Sequence, residues 1–264
     1  MTEPLVLQLD HVFIPVADPA PLFDLFSNDL GLPVAWPVMD KGAFTSAAVC
    51  AGTANIEFIS ANAASPFSPF LEPTEPLCVR GLAFEPIDGE RMADDLGARG
   101  LAHSDPLPHD DAGGSWTNVF LTGMAPFSAM VFLCEYRGAT REERRAVRET
   151  FAAGDGGALG VRGVAEVTLG VLDIDTALDA WTRFLSPVQP DDHGAFHLGN
   201  GPIVRVRHSP IDGVAAVWLE VASLARARDA LRERDLLGPM RASGVGLNYA
   251  KNGGLDVWLT EKRQ

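Results

Sequence analysis

The chain has 264 residues, 47% hydrophobic and 21% charged, with a formal net charge of -14, so it is large enough for a sizeable core and two domains and has the composition of a soluble globular protein. Such acidity argues against nucleic acid as a partner, since phosphate binding needs clustered Lys and Arg, and against an anionic membrane surface. No apolar run reaches bilayer length, the opening MTEPLVLQLD lacks a signal peptide's basic and apolar regions, and Cys50, Cys78 and Cys134 are far apart, so a cytoplasmic protein with buried thiols is expected.

The first predicted strand is LDHVFIPVAD, residues 9–18, where alternation puts Val12, Ile14 and Val16 on one face and Leu9, His11 and Phe13 on the other. A helix follows, with Asp18 as N-cap, Pro19 at its first position, Leu22, Phe23, Leu25 and Phe26 at helical spacing, and Gly31 closing it. PVAWPV, FTSAAVCAG and ANIEFIS then read as three short strands. The same order returns three times. VRGLAFEPID, the weaker helix GERMADDLGARGL, SWTNVFLTG and SAMVFLCEY make a second unit. GVAEVTLGVLD and IDTALDAWTRFLSP, with Asp173 as the counterpart of Asp18, open a third. AAVWLEVAS, LARARDALRERDLLG and GLDVWLTEK belong to the fourth. Repetition of this kind sets the fold before local detail does.

The repeats break between about 138 and 162. Thr140 stands three residues before Glu143, a capping-box pattern that starts a highly charged helix, and AAGDGGALG reads as a flexible linker. The predicted organisation is therefore residues 1–137, a helical linker over 138–162, and residues 163–264. The linker glycines lack the GxxxxGK[ST] pattern of a phosphate loop, and the chain has no GxSxG and no Rossmann fingerprint.

Four strand–helix–three-strand units in two pairs, opening on LDHVFIPVAD…FSNDLGLPV and including GTANIEFIS, resemble the vicinal oxygen chelate superfamily, most nearly its glyoxalase-like branch. That superfamily includes glyoxalase I, methylmalonyl-CoA epimerase, extradiol dioxygenases and antibiotic-binding resistance proteins. The resemblance implies an α+β fold of four βαβββ units, paired into two domains with curved mixed sheets around a cavity. It implies ligands to one divalent metal (Mg, Mn, Fe or Zn) from the first and last strands of each unit: His11, Glu57 and Glu135. The fourth position should hold a His and holds Gly81. Strand parity is read as putting both carboxylates opposite the apolar residues, as His11 is, with Glu135 alternating with Phe132 and Cys134.

One imidazole and two carboxylates form a mainly oxygen site that would stabilise an enediolate, with Glu57 or Glu135 as base. Isomerase, epimerase or lyase chemistry on a vicinally oxygenated metabolite is expected, and a dioxygenase less so, because the 2-His-1-carboxylate set is incomplete. The alternative is a metal-free cavity that binds, sequesters or transforms a bulky aromatic ligand, which a glycine at position 81 would widen. Phe13, Trp116 and Arg205 are the expected substrate contacts, in a monomer or homodimer. The loop HSDPLPHDDAGGSW, with His103, His109, Asp110 and Asp111, reads as a solvated acidic loop. In the second half the four corresponding positions are Glu166, Arg205, Ala216 and Glu261, a set expected to neutralise itself as an ion-pair cluster and leave that half structural. A sharper reading has Arg205 or Arg207 grip a substrate carboxylate.

Overall fold

The computed structural model describes residues 3–63, 68–111, 114–199 and 201–261. The first repeat is β1 (Val6–Pro15), α1 (Pro19–Asp24, extended by one wider turn over 25–29), β2 (Val34–Asp40), β3 (Phe44–Cys50) and β4 (Asn55–Ala61). A short helix α2 (Ser68–Leu71) leads to the second repeat: β5 (Gly81–Pro86), α3 (Met92–Ala98), β6 (Leu107–Asp111), β7 (Gly114–Leu121) and β8 (Met130–Tyr136). These eight strands form one sheet in the order β2-β3-β4-β1-β5-β8-β7-β6. β1 and β5 meet antiparallel at its centre, and each runs parallel to the last strand of its own repeat.

Helix α4 (Gly138–Ala153) leads to β9 (Val161–Val171), α5 (Ile174–Leu185), β10 (Ala195–His197), β11 (Ile203–His208), β12 (Gly213–Val221), α6 (Leu224–Glu233), β13 (Leu237–Arg241), β14 (Gly244–Leu247) and β15 (Val257–Glu261). They build a seven-stranded sheet, β10-β11-β9-β12-β15-β14-β13. The third repeat is one strand short. Its stretch after α5 carries Pro187 and Pro190, which have no backbone N–H to give to a ladder. Asp18 and Asp173 cap α1 and α5 as expected, accepting from Ala20 N at 3.0 Å and Thr176 N at 3.1 Å. Among the described residues no helix is long and apolar enough to cross a membrane.

Alternation divides the first sheet cleanly. Val12, Ile14, Ile56, Phe58, Leu82, Phe84, Val131 and Leu133 face the main core, which runs without a break through both sheets. Phe84 meets Trp181 and Phe184 of α5 with ring centroids 5.9 and 5.2 Å apart, so the two halves share their interior. Phe13, Ile59, Ala83, Phe132, Cys134 and Tyr136 face the other way and form a second apolar cluster.

The connection between the halves differs from the flexible tether expected of AAGDGGALG. Ala158 N donates to Leu30 O at 3.0 Å, and Gly157, at φ +67°, lies so close that a Cβ there would come within 2.5 Å of that carbonyl. The glycines allow a tight, packed turn rather than slack. Thr140 does not cap α4 either, because the helix already starts at Gly138 and the Thr140 hydroxyl accepts from Ser115 N at 2.9 Å, pinning the helix to β7. The segment expected as a solvated acidic loop supplies edge strand β6, in which His109 stacks on Trp116 with centroids 4.9 Å apart.

Candidate functional site

The concave face of the first sheet encloses a cavity of about 990 Å³. Phe13, Trp36, Trp116, Phe120, Phe132 and Tyr136 are its aromatic lining, and His11 and Glu57 also line it. The pairing of β1 with β4 sets this up. Phe13 stands opposite Glu57 and His11 opposite Asn55, and the pleat then turns His11 and Glu57 to the same side. His11 Nε2 lies 3.3 Å from Glu57 Oε2, both side chains being almost fully buried.

Behind His11 stands Asp10, wholly buried. Neighbours along a strand ordinarily point to opposite faces. Here the β1–β5 register shifts between Leu9 and His11, a bulge that brings Asp10 beside the imidazole. His11 Nδ1 donates to Asp10 Oδ2 at 2.7 Å, and Tyr136 donates its hydroxyl to the same oxygen at 3.1 Å. Arg148 Nη2 pairs with Asp10 Oδ1 at 2.6 Å. Burial would raise the Asp10 carboxyl, but the His11 hydrogen bond and the His11, Arg148 and Arg144 charges outweigh it and hold it at about 2.

Asp10 therefore fixes the proton on Nδ1 and turns Nε2 toward Glu57. The 3.3 Å contact then takes one proton, carried by Glu57 or by the imidazolium. Burial pushes the Glu57 carboxyl up, against the His11 charge and the Ser46 hydroxyl that donates to it. Ser46 in turn accepts the Trp36 indole N–H at 2.9 Å. The pair holds one acid and one base side by side in the lining of an apolar cavity. Cys134 and Tyr136, both on this face, are raised well above their usual ranges, first by burial and then by the Asp10 charge, so they stay neutral.

Glu135 does not join His11 and Glu57, which corrects the expected ligand set. Phe132, Cys134 and Tyr136 line the cavity, so Glu135 points to the opposite face. Its carboxylate packs on Gly89 and pairs with Arg141 at 2.6 Å. Phe132 and Cys134 do lie on the face opposite Glu135, as parity requires, but that face is the cavity wall itself. Gly81 leaves no open space, because a Cβ there would fall 1.7 Å from the Phe13 ring, which fills the place.

A divalent ion at the His11–Glu57 contact would find two protein donors. Among the described residues no three His, Cys, Asp or Glu side chains are placed to hold a metal ion. Arg144, a fixed cation, acts electrostatically on Glu57. Two protein donors are too few for a resident divalent metal.

Phe13 and Trp116 line the cavity as expected. Arg205 does not reach it. In the second sheet it grips Glu166 with two hydrogen bonds of 2.9 and 3.0 Å, in the lining of a second hollow. Glu261 is not in that ion pair, since its carboxylate accepts from Leu224 N at 2.9 Å at the start of α6. Sequence reasoning missed Asp10, Tyr136 and the arginines of α4. Arg137, Arg141, Arg144 and Arg148 follow one another at spacings of four, three and four, a stripe along one helix face. That stripe lies on the first sheet: Arg137 donates to the Thr117 hydroxyl, Arg141 and Arg148 pair with carboxylates, and Arg144 stacks on Trp36 and Tyr136.

No protein-family model matches the sequence, and no curated protein sequence does. Solved structures match its fold. The Mn(II)-bound glyoxalase from Novosphingobium aromaticivorans is similar at 12% identity and a TM-score of 0.60, over 99% of this chain and 84% of that one. The 2,3-dioxygenase LapB from Pseudomonas sp. KL28 is similar at 12% identity and a TM-score of 0.62, over 100% and 94%. A mutant of 4-hydroxymandelate synthase from Streptomyces coelicolor is similar at 13% identity and a TM-score of 0.66, over 98% and 92%. The fold is that of the vicinal oxygen chelate proteins, with curved mixed sheets around a cavity.

Proposed function

We propose that the chain takes a bulky aromatic small molecule into the first cavity and moves a proton on it through the His11–Glu57 pair, without a resident metal. The observation that carries this reading is the 3.3 Å contact between two buried titratable groups in an aromatic-lined cavity. Such a pair suits isomerase or epimerase chemistry. Glu57, ionised, takes a proton from a carbon next to a carbonyl, and His11 steadies the charge and helps return the proton to the other face or a neighbouring atom. Asp10 orients the imidazole through its Nδ1–H. The metal-assisted version of this chemistry, expected from the resemblance, is set aside on the donor set.

Two measurements test it. Protein purified without chelator should carry no stoichiometric divalent metal by elemental analysis, and His11→Ala should leave that result unchanged. Aromatic ketones and keto acids that quench the tryptophan emission of the cavity should exchange their acidic C–H for deuterium in D2O, and Glu57→Gln should abolish exchange while keeping binding. Stoichiometric metal lost in His11→Ala would return the site to metal chemistry. Tight binding without exchange would favour a protein that sequesters its ligand, a reading the aromatic wall also supports.

A further inference from the structure

Arg144 and Arg137 are the arginines of the stripe that line the cavity, and Arg137 is taken up by the Thr117 hydroxyl whereas Arg144 is held by aromatic rings. Its guanidinium lies over the Trp36 indole, 3.5 Å from the ring centroid, and over the Tyr136 ring at 4.7 Å. Among the described residues it forms no ion pair, whereas Arg141 is paired with Glu135 and Arg148 with Asp10 and Glu85. Its Nη1 is buried and has no hydrogen-bond partner there. The side chain lines the cavity. Two rings therefore hold a planar cation in place, and among the described residues no carboxylate neutralises it by contact. A partly buried cation without a partner is costly, and the fork of a guanidinium matches a carboxylate.

We infer that Arg144 is an anion-binding residue of the cavity and that its ligand is an aromatic carboxylate. This rests on the reading that the cavity takes an aromatic small molecule, and it names that molecule's class. Trp36 sets the geometry. Its indole carries Arg144 on one face and meets the His11 ring edge-on, centroids 6.0 Å apart. A carboxylate on Arg144 would thus lie one indole away from the proton-transfer pair.

The test compares 2-naphthoate with 2-naphthamide, equal in shape and different in charge, by quenching of tryptophan emission. Wild-type protein should bind the carboxylate at least about tenfold more tightly, the range for one charge-assisted hydrogen-bonded pair. Arg144→Gln should bind both probes alike, with amide affinity within about twofold of wild type, since only the charge term is removed. Arg144→Lys, which keeps the charge and loses the fork, should retain part of the preference, and it carries the test if Arg144→Gln does not fold. Equal binding of the two probes by wild-type protein, or a preference that survives Arg144→Gln, overturns the inference and leaves the aromatic cavity standing. Binding of neither probe overturns both.

Discussion

Asp10 Oδ1 and Arg148 Nη2 lie 2.6 Å apart across 138 residues of chain. Asp10 has no exposure to solvent, and Arg148 is its only guanidinium contact among the described residues. Removing one partner of a buried pair leaves the other charge uncompensated. Arg148→Met should therefore cost about 3–5 kcal/mol in urea unfolding. Asp10→Asn in the same background should recover part of that loss. A cost below about 1 kcal/mol, the value of a surface pair, would show that water already serves Asp10.

Stability should depend on pH in two opposed ways. The Asp10 carboxyl is held at about 2, below its ordinary 3.8, so its contribution is present above pH 3.8 and lost as pH falls toward 2. The shift corresponds to about 2 kcal/mol. The unfolding free energy of Asp10→Asn should lack this loss. Glu57 is raised, so the native state holds its proton longer than the unfolded chain does. Its contribution declines as pH rises from the ordinary 4.5, and Glu57→Gln should remove that decline. Parallel profiles for wild type and Glu57→Gln above pH 4.5 would refute the assigned direction.

Gly81→Ala places a methyl group inside the Phe13 ring. Phe13 is almost fully buried, so either it swings into the cavity or the β1–β5 pair spreads. A cost of about 1–3 kcal/mol is expected, with weaker binding of cavity ligands. Adding Phe13→Leu should restore most of the stability in a thermal melt. Unchanged stability of the single variant would mean that the ring moves freely.

Arg205→Ala should cost about 1–2 kcal/mol, because Glu166 keeps only the Thr168 hydroxyl, at 2.8 Å. Ligand affinity of the first cavity should not change. A variant that stays as stable as wild type but loses the ligand would move the binding site to the second half.

Much of the fold was legible because a repeated order of elements survives loss of residue identity. The β1 and β4 faces were legible too, since Val12, Ile14, Ile56 and Phe58 separate cleanly from His11 and Glu57. The face of Glu135 was not. Alternation says which residues share a face but not which face is the cavity, and here the cavity is as apolar as the core. Asp10 was hidden for another reason: a bulge breaks the very alternation by which it would be assigned. The arginine stripe of α4 was readable as a pattern, but nothing local says that it covers the first sheet.

That stripe decides where the chain can be divided. Halves built from paired repeats are natural candidates for separation into two smaller proteins. Here the segment that would be cut or redesigned carries Arg148, the counter-charge of Asp10, and Arg144, part of the cavity wall. A fragment ending at Arg137 would retain a buried aspartate without its guanidinium partner, and the face of Phe84 would lose Trp181 and Phe184. The connection between the halves is thus part of the first half's own interior, and dividing the chain there would take structure out of the cavity.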